Sequence, residues 1–94
     1  MAILEKFEKQ PGETKYFDVH FEDFLSALGT TATGVVATAP DGITQTEPAA
    51  ITDGVVRVWA SGGLDGVSYK YEITVTCANG WVEQQEIVVK VKES

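Results

Sequence analysis

The chain has 94 residues, 44% of them hydrophobic and 22% charged, and its 14 acidic and 7 basic side chains leave a formal net charge of −7 at pH 7. This length holds one hydrophobic core and excludes two, and the apolar fraction excludes a disordered or fibrous chain. The acidic balance argues against the phosphate backbone of a nucleic acid as partner.

Residues 1–10 read as a flexible arm or an edge strand. Met1-Ala2-Ile3-Leu4-Glu5-Lys6 has no apolar run long enough for a signal peptide or a membrane span, so a soluble protein made in the cytoplasm is expected, with no membrane partner. Ile3, Leu4 and Phe7 give this arm apolar side chains that suit a contact with another protein. Pro11-Gly12 ends the arm, and residues 11–94 form a single domain. In Thr14–His20, Phe17 and Val19 alternate with Tyr16, Asp18 and His20, which predicts a strand with one apolar face. Phe21, Phe24, Leu25 and Leu28 then recur at helical spacing, with Glu22 and Asp23 in the first turn and Gly29 after the last apolar residue. The spacing predicts two turns of helix over 22–28, too short to stand without packing.

Strands are predicted at Gly34–Ala39, Ile43–Glu47 and Gly54–Ser61; the last is apolar at both parities and suits a central position with Trp59 partly covered. Tyr69–Cys77 alternates strictly, with Tyr69, Tyr71, Ile73, Val75 and Cys77 on one face. In Trp81–Val91 the second half alternates, but Glu83-Gln84-Gln85-Glu86 is polar at both parities and predicts a bulge or an exposed edge. Between the strands stand the turn dipeptides Asp41-Gly42, Asp53-Gly54, Asp65-Gly66 and Asn79-Gly80, of which Asn79-Gly80 is the best placed for a hairpin. Turn signals at such intervals, with short β-branched segments between them, predict an all-β fold: an immunoglobulin- or fibronectin-III-like Greek-key sandwich of about seven strands with one short helix. Leu64-Asp65-Gly66-Val67-Ser68-Tyr69 matches a tyrosine corner, in which a Tyr hydroxyl returns to upstream backbone and locks a crossover; Tyr69 is placed for that role, and an ordinary inward tyrosine is the alternative.

The residues that carry chemistry elsewhere read as structural here. His20, the single histidine, has Asp18 on its own strand face and Ser26 as a candidate hydroxyl, but no motif joins them. Glu22 and Asp23 serve the helix start, and Asp41, Asp53 and Asp65 make turns without the loop pattern of a calcium site. One cysteine, Cys77, excludes an intrachain disulfide and, with one histidine, a zinc site; it reads as a small buried hydrophobe. The expectation is a protein with no catalytic residue, no cofactor and no metal. Trp59 and Trp81 remain as candidate contact residues because aromatics are enriched at interfaces.

Pro11-Gly12-Glu13-Thr14, Phe24-Leu25-x-Ala27-Leu28-Gly29, Val58-Trp59-x-Ser61-Gly62-Gly63, Tyr69 and the closing Val89-x-Val91-Lys92-Glu93 resemble a group of small immunoglobulin-like virion proteins of tailed bacteriophages, among them fibre–tail adaptor and tail proteins. The resemblance spans about residues 8–93 and rests on fold determinants, so it carries no functional residue with it. It implies a structural component of a phage particle at the tail, neck or fibre attachment, located in the virion and contacting other phage structural proteins in a symmetric array. A capsid decoration protein and a carbohydrate- or host-surface-binding module are the alternatives.

Overall fold

The computed structural model describes residues 3–93, and for Ile3 and Leu4 the backbone alone. Eight strands and one helix follow in order: β1 (Ile3–Lys9), β2 (Thr14–His20), α1 (Glu22–Leu28), β3 (Ala32–Thr38), β4 (Ile43–Thr44), β5 (Ala50–Thr52), β6 (Val55–Gly62), β7 (Ser68–Cys77) and β8 (Val82–Val91). The first sheet has the order β1-β8-β7-β3, and the second has β2-β6 with β4 and β5 both on the far side of β6. All pairs are antiparallel except β1 with β8. The protein is therefore an all-β sandwich of two sheets with one short helix, as the alternation predicts.

One expected strand is shorter than predicted, and one observed strand is not among those predicted. Ile43–Glu47 becomes the two-residue β4, and a further strand, β5, takes up the same edge of β6 after residues 45–49 loop out. Pro48 in that loop has no N–H to give to a ladder, which accounts for the break. The polar half of β8 does not bulge: Val82–Lys90 pairs with Thr76–Ser68 of β7 in unbroken register. Register irregularities lie instead in β1, between Ile3 and Glu5, and in β3, between Ala32 and Gly34, and the described part of β1 begins opposite Glu86. Val82–Gln85 is thus an edge in its own right among the described residues. Glu83 and Gln85 share the inward parity of Ile87, and an inward-pointing charge at an edge discourages pairing with a foreign strand.

The core follows the two-residue period. Phe17 and Val19 of β2 and Val56, Val58 and Ala60 of β6 face Tyr69, Tyr71, Ile73, Val75 and Cys77 of β7 and Ile87, Val89 and Val91 of β8. Helix α1 closes one end through Leu25, with Phe21 just before it. The Phe21 N–H donates to the Gly54 carbonyl at 2.8 Å, which ties the helix to the β5–β6 turn. Gly29 (φ 64°) ends the helix in the left-handed region, its N–H returning to the Leu25 and Ser26 carbonyls. The β5–β6 turn, Asp53-Gly54, has φ of 51° and 80°, the two-residue turn that matches strand twist. Asn79-Gly80 makes a longer loop in which the Asn79 Oδ1 accepts from the Trp81 N–H at 3.0 Å.

The opposite end is held by Tyr69. Its hydroxyl accepts the Leu64 N–H at 2.8 Å across the connection from β6 to β7. An ideal Cβ at Gly42 would lie 3.0 Å from the ring's Cε1, and one at Gly63 would lie 3.1 Å from Cε2 and 2.6 Å from Val91 Cγ2. The ring is therefore packed between two glycine backbones. Lys9, 2% exposed, closes the same end: its ammonium donates to the Gln10 and Gly62 carbonyls at 2.7 and 2.6 Å, and burial lowers its pKa. Tyr69→Phe removes one buried hydrogen bond and is expected to lower stability by about 1 kcal/mol in urea denaturation. Gly63→Ala meets both a positive φ and Val91, and it should cost more than Gly12→Ala, whose added methyl meets nothing. Equal effects of the two glycine variants would contradict this packing.

Candidate interaction surface

The outer faces of the two sheets differ in kind. That of the first sheet sets Ser68 opposite Lys90, Glu72 opposite Glu86 and Thr74 opposite Gln84 in the β7–β8 register, with Lys70 opposite Val88 and the Gln84 amide donating to Glu72 and Thr74. Val88 is buried there between its register neighbours Lys6 and Lys70. The second sheet instead gathers aromatic rings around an arginine.

In the β2–β6 register Tyr16 stands opposite Trp59, Asp18 opposite Arg57 and His20 opposite Val55, so all six share the outer face. The Tyr16 and Trp59 rings are 5.3 Å apart between centroids and inclined at 59°. The Arg57 guanidinium lies 3.8 Å from the Tyr16 ring centroid. Its Nε and Nη2 donate to Asp18 Oδ1 and Oδ2 at 3.0 and 3.3 Å. The hydrogen bond from Arg57 holds the Asp18 carboxyl below its usual pKa, and the same bond raises that of Arg57. A ring on one side and a carboxylate on the other thus fix an otherwise flexible side chain. Tyr16 is 44% exposed, and β5 adds only Ala50 and Thr52 beside Arg57 and Val55. Asp18, Arg57, Val55, Ala50 and Thr52 line a hollow next to the rings.

The sequence-derived contact residues are dispersed. Trp59 lies in this cluster. Trp81 stands near the helical end, its Nε1 donating to Glu83 Oε1 at 3.0 Å and its ring 6.5 Å from that of Phe24. Phe7 is directed inward, its ring 4.7 Å from Phe17, and so packs on the domain's own core. The side chains of Ile3 and Leu4 lie outside the described residues. Gly66 (φ 84°) donates its N–H to the Val91 carbonyl at 2.7 Å, and Gly80 (φ 91°) donates to that of Cys77 at 3.0 Å. Tyr16, Arg57 and Asp18 complete a cluster that the sequence reading did not assemble. Their shared parity was visible, but the β2–β6 register was not, because the two strands are separated by α1 and three further strands.

The residues weighed for catalysis are engaged separately. Asp18 pairs with Arg57, His20 Nδ1 lies 2.6 Å from Glu22 Oε1, and no hydrogen bond joins Ser26 to His20. Asp53 sits in the turn beside α1, while Asp65 Oδ1 accepts the Glu93 N–H at 2.9 Å near the Tyr69 end. Among the described residues no three His, Cys, Asp or Glu side chains come together as a metal site would need, and no helix is long and apolar enough to cross a membrane. Cys77 is buried as a free thiol.

The profile of the podophage GP4 fiber-tail adaptor protein gp77 family matches residues 9–90. The chain belongs to this family. A search of curated proteins found no match. As a phage fibre–tail adaptor it is a structural part of the virion that binds other phage structural proteins. Tyr, Trp and Arg are the residue types that most often dominate interface energetics.

The Glu22 hydrogen bond raises the His20 pKa above its ordinary 6.5. The folded state therefore gains from this pair below the unfolded pKa, and the gain is lost as pH rises through the folded value. A proton NMR titration should find the His20 midpoint above 6.5 in the wild type and lower in Glu22→Gln; an unchanged midpoint would remove the pair.

Proposed function

We propose that this adaptor is non-enzymatic and docks on a neighbouring protein of the tail through the outer face of its second sheet, with Tyr16, Arg57 and Trp59 as the central contacts. The observation that carries the reading is the Arg57 guanidinium held between the Tyr16 ring and the Asp18 carboxylate on an exposed face of a family adaptor. An arginine ordered before binding loses less conformational freedom on docking than a free one. The partner is protein: a net charge of −7 disfavours nucleic acid and an anionic membrane surface. Synthesis in the host cytoplasm suits a chain whose one cysteine is a buried thiol. Copies arranged with the symmetry of the tail would present this face repeatedly, so that modest individual affinities combine.

The test is complementation of a phage lacking this protein, followed by mass spectrometry of purified particles separated into heads and tails. The wild-type chain is expected in the tail fraction. Arg57→Ala and Trp59→Ala are each expected to weaken attachment by about 2 kcal/mol, roughly thirty-fold in affinity, while circular dichroism shows an intact fold. Glu72→Ala, on the other sheet's outer face, should attach normally. Wild-type occupancy by both surface variants would overturn the choice of face, and presence only in heads would overturn the tail assignment.

A further inference from the structure

Among the described residues, each strand edge of this sandwich but one carries charge, is interrupted at a proline or is short. β1 bears Glu5, Lys6, Glu8 and Lys9 and is irregular after Ile3; β2 bears Lys15 and Asp18. β4 and β5 are short and separated by a loop containing Pro48, and the free half of β8 has Glu83 and Glu86. Charges, irregularities, proline and short length are the usual devices against edge-to-edge association. β3 has no charge, no proline and full length, and its one register irregularity falls at its start, between Ala32 and Gly34, leaving Gly34–Thr38 regular. Its seven residues, Ala32-Thr33-Gly34-Val35-Val36-Ala37-Thr38, lie inside a stretch from Phe24 to Pro40 without a single charged side chain, in a protein of net charge −7. β3 pairs with β7 on one side only. No backbone–backbone hydrogen bond outside that ladder involves Ala32–Thr38 among the described residues, and β5 lies beside β3 at the corner of the sandwich without pairing to it.

We infer that β3 is a self-recognition edge, and that two copies of the chain pair through it antiparallel about Val35, joining two four-stranded sheets into one of eight. Charge and shape both choose a second copy as the occupant. A strand without charge offers no complement to a charged segment, whereas two copies of β3 meet without the like-charge opposition that a −7 chain brings to its other edges. Centred on Val35, the register sets Gly34 of one copy opposite Val36 of the other, twice. Val36 is 64% exposed on the outer face. Gly34 has open space where a side chain would stand, with nothing within 4 Å of an added Cβ. The protruding residue of each copy thus covers the bare position of the other. Val35 and Ala37 continue to face the core, so pairing requires no refolding.

One strand pair is a small contact, so a reversible, concentration-dependent dimer is expected rather than an obligate one. Sedimentation of the isolated protein from about 1 μM to about 1 mM should show the mass rising from one chain to two, in the weak range expected of small interfaces. Val36→Lys should hold it at one chain with the fold intact by circular dichroism. An equimolar mixture of Gly34→Cys and Val36→Cys proteins should form a disulfide-linked pair on mild oxidation, and either alone far less, since only the mixture sets two cysteines directly opposite. A single-chain mass across the whole range, a dimer untouched by Val36→Lys, or no preferential cross-link in the mixture would each overturn the inference. All three measurements use the isolated chain, so their failure leaves the docking face of the second sheet standing, and failure of that face leaves this edge standing.

Discussion

The architecture depends on how the chain crosses from the second sheet into the first, between β6 and β7. Side chains on a strand alternate, so a one-residue slip of β7 would turn Tyr71, Ile73 and Val75 out to solvent and Lys70, Glu72 and Thr74 into the core. The connection is short and is pinned at several points. The Tyr69 hydroxyl takes the Leu64 N–H, the Gly66 N–H reaches Val91, and the Val91 N–H reaches Val67. Tyr69 thereby sets where β7 begins, and β7 in turn sets the registers of β8 and β3 on either side. The glycines at 42 and 63 are required because the ring lies where their side chains would be. Lys9 completes the closure by bringing an ammonium from the first sheet to the Gly62 carbonyl at the end of the second.

With the crossover held, the two outer faces become separate surfaces. Across β7 and β8 the first sheet displays a mixed ladder of lysines, carboxylates and amides, which stays hydrated and discourages chance contacts. The second displays one ordered arginine and two aromatic rings within a narrow patch. That division suits a particle component, which must stay soluble while being made and then bind in one orientation. The edges follow the same logic. Most are charged, broken or short, and the neutral β3 stands apart from them. The helical end belongs to the same scheme: α1 covers the core where β2 leaves the second sheet, and its anchor on Gly54 leaves the strands of that sheet free to present their outer face.

Much of the fold was legible in the sequence because it is written in local periods. The helix over 22–28 was readable from its apolar spacing and the glycine that ends it, β2 and β7 from strict alternation, and the turns from their Asp-Gly and Asn-Gly pairs. The shortening of the strand expected over 43–47 and the strand β5 that follows it were not legible, because both depend on which residues return to the edge of β6. The polar half of β8 announced an edge or a bulge without deciding between them. That depended on where β1 begins opposite β8, which is a property of a partner strand.

The candidate surface shows the same boundary more sharply. Alternation along β2 and β6 by itself determined that Tyr16 and Asp18 share one face and that Arg57 and Trp59 share another, because a strand's period is a local property. Only the tertiary structure decided that these are the same face and that the guanidinium falls between ring and carboxylate. Cross-strand register between segments some forty residues apart depends on the whole sandwich closing. The charge-free run through β3 was likewise present in the sequence from the start. Its meaning waited on topology, since a neutral strand in the middle of a sheet is ordinary core and the same strand at an edge is an open place for another to pair.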